Sequence, residues 1–208
     1  VRVIGSFADV RAVGVSRRYV YSATTSGIAV YDRLFKSWLP PLSRDGGLED
    51  QQITFMTGDP TEDAIWLGVP GAVLVYRPQT EQLQRTILTG VPEFIVFDRT
   101  PGGDAYVRAS GQWTRVSRIG MTTPIAGPPA ADKLFVPQTL NDVYARFPAL
   151  RAGSPLLFRN QQSDRPLRPY AVMSGTLAPD QPNDVWLGTN GDGLYQVDAT
   201  LQQATPLR

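Results

Sequence analysis

The chain has no cysteine and no histidine among its 208 residues. Without cysteine there is no disulfide framework and no thiolate chemistry. Without histidine there is no imidazole acid–base catalysis, and the two absences together remove haem ligation and the ordinary zinc sites. Charge of one sign is missing as well: 20 Lys and Arg face 19 Asp and Glu, so no global field draws in nucleic acid or anionic lipid. No apolar run approaches the roughly 18 residues of a membrane-spanning helix, and no signal peptide is visible. The first residue is Val rather than Met, so a processed chain or a fragment is expected, and whether an address label preceded it is left open.

What the chain does have is turns. Its 19 Gly and 18 Pro are scattered rather than gathered in one tract, which reads as many short connections in a folded domain. A chain of this length buries roughly 70% of its unfolded surface, so it needs neither disulfide nor metal to fold.

A repeat organises the turns. The clearest unit starts at Asn183 as NDVWLGTNGDGLYQVDATLQQATPL. It divides into a strand Asp184–Gly188, a tight turn Asn190–Gly193, a strand Leu194–Asp198 and a last short strand; the Asn-Gly and Asp-Gly pairs supply the positive φ of primed hairpin turns. The pattern recurs at Asp63 as DAIWLGVPGAVLVYRPQTEQLQRTIL and, more loosely, at Arg18 and Asp104, with turn glycines Gly27, Gly71, Gly111 and Gly193. A leading strand precedes each unit, at Val10–Val15, Ile53–Thr57, Phe94–Phe97 and Ala171–Thr176. Aligning Tyr21, Trp66, Val107 and Trp186 gives a period near 41 residues, the last spacing being close to twice that. Four short antiparallel strands per period describe a β-propeller blade. A β-sandwich also gives regular short strands, but it does not predict an aromatic–Gly–Gly phrase at one phase of such a period. The expected fold is therefore all-β: a β-propeller of about five four-stranded blades in one domain over residues 1–208, either minimal or part of a larger propeller, with blades at roughly 7–48, 50–89, 91–120 and 170–208.

The stretch 121–168 departs from the repeat and is expected to be a degenerate blade or an insertion. Thr139 to Arg151 places apolar residues at Leu140, Val143, Tyr144, Phe147 and Leu150, which is helix periodicity, with Thr139 or Asn141 as cap and Pro148 stopping the helix near Phe147. An insertion in a repeat array often marks the binding face; a plug over the propeller channel is the alternative. Charge contrast accompanies it. Residues 146–168 hold five arginines against Asp164, while residues 42–63 hold six acids against Arg44. These are either solvated loop charges or a pair of complementary docking patches.

At DVWLGTNGDGLYQVD, residues 184–198, the chain resembles the repeat of two-component-regulator propellers, whose phrase is roughly (I/V)W(I/L)GT…GGLY…(Y/V)D; the likeness is fair over 63–78 and weak over 19–32 and 104–117. The resemblance implies a blade array, usually extracytoplasmic in bacteria, that senses a ligand or mediates pairing. It assigns no functional residue here, because the shared residues are architectural.

The chemistry points the same way. The carboxylates Asp45, Glu49, Asp50, Asp184 and Asp192 are candidates for a glycosidase pair, yet they sit where Asp caps turns. No phosphate loop or calcium loop surrounds the glycine pairs. The function expected is thus a non-enzymatic, protein-binding propeller, an accessory, scaffolding or sensor subunit of a larger extracytoplasmic or membrane-associated assembly. The alternatives are a carboxylate-dependent carbohydrate hydrolase or lyase and a small-ligand sensor domain of a signalling receptor. No residue is assigned to catalysis, metal or cofactor. The expected partner-binding residues are Arg146, Arg151 and Arg159 beside Tyr144 and Phe147.

Overall fold

The computed structural model describes residues 9–24, 26–43, 48, 52–151, 172–191, 193–198 and 203–207. These residues form four antiparallel sheets in which the strands follow chain order. The first holds β1 (Ala12–Val15), β2 (Tyr19–Thr24), β3 (Gly27–Asp32) and β4 (Ser37–Ser43). The second holds β5 (Phe55–Gly58), β6 (Ile65–Val69), β7 (Ala72–Arg77) and β8 (Gln82–Ile87). In the third, β9 (Pro92–Asp98), β10 (Ala105–Ala109), β11 (Gln112–Val116) and β12 (Thr122–Ile125) are joined by a fifth strand, β13 (Leu134–Phe135), which pairs with β9. The fourth holds β14 (Val172–Leu177), β15 (Asp184–Thr189), β16 (Leu194–Asp198) and β17 (Gln203–Leu207).

The sheets stand side by side rather than face to face in two layers. β1 packs against both β5 and β14, and β5 and β6 pack against β9, so the spatial order is fourth, first, second, third. Turns from all four sheets line one depression, which places them round a common axis. This is a β-propeller. The residue pair before β1 reaches the fourth sheet, where the Val10 N–H donates to the Thr189 carbonyl at 2.9 Å.

This arrangement explains the apolar runs. In β6, Ile65, Leu67 and Val69 face the first sheet, while Trp66 faces the third. In β15, Trp186 faces the first sheet, and Val185 and Leu187 face the opposite way. A strand buried on both sides reads as a continuous hydrophobic segment and not as an alternation. Trp66 and Trp186 are each 1% exposed and Tyr21 is fully buried, each pointing from its own sheet toward the next.

The structure revises one expectation and bears on one pair of alternatives. First, Val107 does not stand where Trp66 and Trp186 stand: it faces the second sheet, and Tyr106 takes the equivalent face. Tyr106 lies 40 residues after Trp66 and 80 before Trp186, a tighter period than the alignment on Val107. The side-chain period of a strand is two, so a one-residue slip reverses the face. Second, residues 121–151 build no blade of their own. They supply β12 and β13 to the third sheet and then two helices, α1 (Leu140–Arg146) and α2 (Pro148–Arg151). Thr139 caps α1 in a capping box with Asp142, and the helix ends at Phe147 before Pro148, as the sequence predicts. Residues 152–168 of that stretch lie outside the described residues.

Outer strands carry proline: Pro40 and Pro41 in β4, Pro124 in β12 and Pro206 in β17. A proline on an edge strand turns its missing donor outward and blocks further pairing. β8 has none.

Two measurements check this packing. Trp66→Ala and Trp186→Ala should each cost about 3–5 kcal/mol in urea unfolding, as large aromatic truncations in cores do. Gly193 has φ 81° and Gly191 φ 106°, so a β-branched residue at either is strained; Gly193→Val should lower the unfolding midpoint, and Gly193→Asn should lower it less.

Candidate functional site

A buried indole needs an acceptor for its N–H, and both core tryptophans meet this need in the same way. Trp66 donates to Asp59 Oδ2 at 3.0 Å, and Trp186 donates to Asp184 Oδ2 at 3.0 Å. A buried carboxylate needs a cation in turn, and in both cases it comes from the following sheet. Arg118, in the turn after β11, pairs with Asp59, reaches Thr61 Oγ1 at 3.0 Å and lies 5.8 Å over the Trp66 ring. Arg33, in the turn after β3, reaches Asp184 at 3.2 Å and Asp180 at 2.8 Å. An Arg–Asp–Trp clamp thus closes the second–third and the fourth–first interfaces. The first–second interface differs: Asp63 accepts the Arg18 backbone N–H at 2.9 Å, and Arg18 pairs with the buried Asp32 at 2.8 Å.

These clamps gather at one end of the propeller. Between the first and fourth sheets the Arg33–Asp184–Trp186 clamp lines a cleft of about 710 Å3 whose walls also carry Arg17, Lys36, Asp180 and Gln181. Beside it, Arg17, Pro60, Thr61, Pro101, Pro179 and Asp180 ring an open depression of about 290 Å3 on the axis. Among the described residues, Arg17 makes no side-chain ion pair, and it is exposed.

The sequence candidates are distributed differently. Asp184 is the one glycosidase candidate among the described residues; Asp45, Glu49, Asp50 and Asp192 lie outside them. Both Asp184 oxygens are occupied, Oδ1 by Gln196 Nε2 at 2.8 Å and Oδ2 by Trp186 and Arg33. The proposed docking residues sit on the helices. Val143 and Leu150 are buried against Leu177, Val185, Leu187 and Tyr195, and Tyr144 and Phe147 are half-buried on the same cluster. The helices therefore cover the face of the fourth sheet that turns away from the first. Arg146 and Arg151 point to solvent, with Arg146 5.5 Å over the Phe147 ring. Burial raises the Tyr144 hydroxyl above its ordinary range, and Arg151 works against that rise. Arg159 lies outside the described residues.

Among the described residues no three acidic side chains cluster as metal ligands, and no helix is long and apolar enough to cross a membrane. The clamps went unread in the sequence. Their one local signal is an acid a few residues before each tryptophan, in GDPTEDAIW and PDQPNDVW, whereas the arginine partner is 59 residues away in one case and 151 in the other.

No protein-family model matches the chain, and no curated protein sequence does. Solved structures similar to it are apo AztD from Citrobacter koseri, at 12% identity and TM-score 0.48 over 95% of this chain and 46% of that one. Virginiamycin B lyase from Staphylococcus aureus is similar at 12% identity and TM-score 0.47, over 99% and 71%. The extracellular domain of a hybrid two-component system from B. thetaiotaomicron is similar at 16% identity and TM-score 0.44, over 95% and 23%. The chain spans less than half the length of AztD.

The clamps and capped turns predict two stability effects. Arg118→Met leaves Asp59 buried without its cation and should cost about 3 kcal/mol in urea unfolding, part of which Asp59→Asn restores in the double variant. The second concerns acid. Burial pushes the Asp32 carboxyl up, but Arg18 and the Phe35 and Leu34 N–H groups overcome this and hold it below its ordinary range. Thr100 does the same for Asp98, and Thr139 for Asp142. A carboxyl lowered on folding stabilises above its unfolded value, and that stability is lost as pH falls through the folded value. Urea midpoints should therefore be flat above about pH 5 and fall below about pH 4. Asp32→Asn should lower the pH 7 midpoint and flatten the acid fall.

Proposed function

We propose that this chain is a non-enzymatic binding propeller, a single domain of the two-component-regulator repeat type, serving as an accessory, scaffolding or sensor subunit on an extracytoplasmic assembly in a bacterium. Its principal partner is a protein, and it meets that partner through the α1–α2 cap. The observation that carries this reading is the cap itself. Apolar residues of both helices seal the outer face of the fourth sheet, while Arg146 and Arg151 turn outward with no ion pair among the described residues. Arginine suits such a surface because its planar fork holds a carboxylate bidentately and stacks on aromatic rings, as Arg146 does on Phe147.

The test is affinity capture of the native chain, followed by binding of the captured partner to the charge-reversed variant Arg146→Glu, Arg151→Glu, Arg159→Glu. Affinity should fall about tenfold or more, with a larger loss at low salt and a nearly unchanged melting temperature. Equal binding by the parent and the triple variant moves the docking surface elsewhere.

A second reading, a small-ligand sensor, is favoured by the axial depression, where exposed Arg17 stands beside Asp180 in a ring of three prolines. Small carboxylates that bind there should raise the melting temperature of the parent and leave that of Arg17→Met where it was.

A further inference from the structure

The four outermost strands are not equivalent. β4, β12 and β17 each contain proline, whereas β8, with the sequence QLQRTI, contains none over six residues. The Leu88 N–H donates inward to the Gly71 carbonyl at 2.9 Å. In an antiparallel ladder inward and outward pairs alternate, so Leu83, Arg85 and Ile87 turn their backbone N–H and C=O groups to the open edge. By the same alternation Pro124 of β12 is an outward position, because the Met121 carbonyl accepts inward from Ser117. Among the described residues no backbone hydrogen bond covers the β8 edge.

The surroundings of that edge are apolar. Ile87 is 67% exposed, and Ile119 and Met121, in the turn between β11 and β12, are 77% and 67% exposed. That turn lies against β8, since a side chain at Gly120 would strike Gln84 and Thr86. Three of the most exposed large hydrophobic residues therefore flank the one outer strand without proline. Arg85 is exposed mid-strand and has no ion pair among the described residues. An open ladder fits only an extended backbone, the apolar flanks fit alternate apolar side chains, and the unpaired guanidinium fits a carboxylate.

We propose that β8 is a second docking edge, which takes an extended segment of a partner protein as a fifth strand of the second sheet. The segment has apolar residues at alternate positions and an acidic residue opposite Arg85. This surface is independent of the α1–α2 cap.

The test uses the full chain and a displayed library of random ten-residue peptides. Selection should enrich peptides that alternate apolar residues around a central Asp or Glu, and hydrogen exchange at the Leu83, Arg85 and Ile87 amides should slow on binding. Arg85→Pro removes one outward donor and leaves the inward ladder intact, so it should weaken the selected peptide at least tenfold. Ile119→Lys with Met121→Lys, which alters only exposed side chains, should weaken it severalfold and covers the case in which the proline variant does not fold. The proposal is overturned by no enrichment, by enriched peptides that bind Arg85→Pro and the double lysine variant as tightly as the parent, or by unchanged exchange at the three amides. Self-association of the chain that Arg85→Pro abolishes would assign the edge to a second copy and overturn the peptide assignment.

Discussion

The structure rests on one constraint: the central strands of the first, second and fourth sheets, and β10 of the third, are hydrophobic on both faces, so these sheets need cover on either side. β6 has Ile65, Leu67 and Val69 on one face and Trp66 on the other, and every one of them is at most 1% exposed. Sheets that must be covered twice stack about an axis. The same need governs the two outer faces of the set. The fourth sheet turns one face from the first, and α1 and α2 seal it with Val143, Leu150, Tyr144 and Phe147. The third sheet turns Val96, Tyr106 and Trp113 away from the second, and Leu134 of β13 helps to cover them.

The polar groups follow from that packing. Placing an indole between sheets buries its N–H, the N–H requires an acceptor, and a buried carboxylate acceptor requires a cation. The chain meets this sequence of demands with Asp59 and Arg118 in one interface and with Asp184 and Arg33 in another. Each arginine comes from the sheet that the tryptophan faces. The ion pair therefore spans the same interface as the hydrophobic contact, and loosening one exposes the other. At this end of the molecule the clamp arginines are used internally, whereas Arg17 and Lys36 are exposed.

Surface character divides along similar lines. The axial end is polar and notched, the α1–α2 cap carries Arg146 and Arg151 over an aromatic base, and the β8 edge carries exposed Arg85 and Ile87 near Ile119 and Met121. Three outer strands are closed to further pairing by proline. That treatment of edges makes the exception at β8 informative, since an open edge is a hazard that chains ordinarily suppress.

Local order was legible in the sequence because its causes are local. Turn glycines at Gly191 and Gly193 mark their hairpin through the φ they alone adopt without strain, and the capping box at Thr139 and the stop at Pro148 need only neighbouring residues. The 40-residue recurrence of an aromatic strand announced the propeller, although its phase slipped by one residue in the third sheet, where Tyr106 and Val107 are both apolar and only the neighbouring sheet chooses between them. What tertiary structure alone decided is which sheet faces which, and hence that β13 joins the third sheet while α1 and α2 cap the fourth. It also paired Arg33 with Asp184 across 151 residues. Such pairings depend on the packing of neighbouring blades, and the energy that selects them belongs to surfaces that do not exist until the sheets meet.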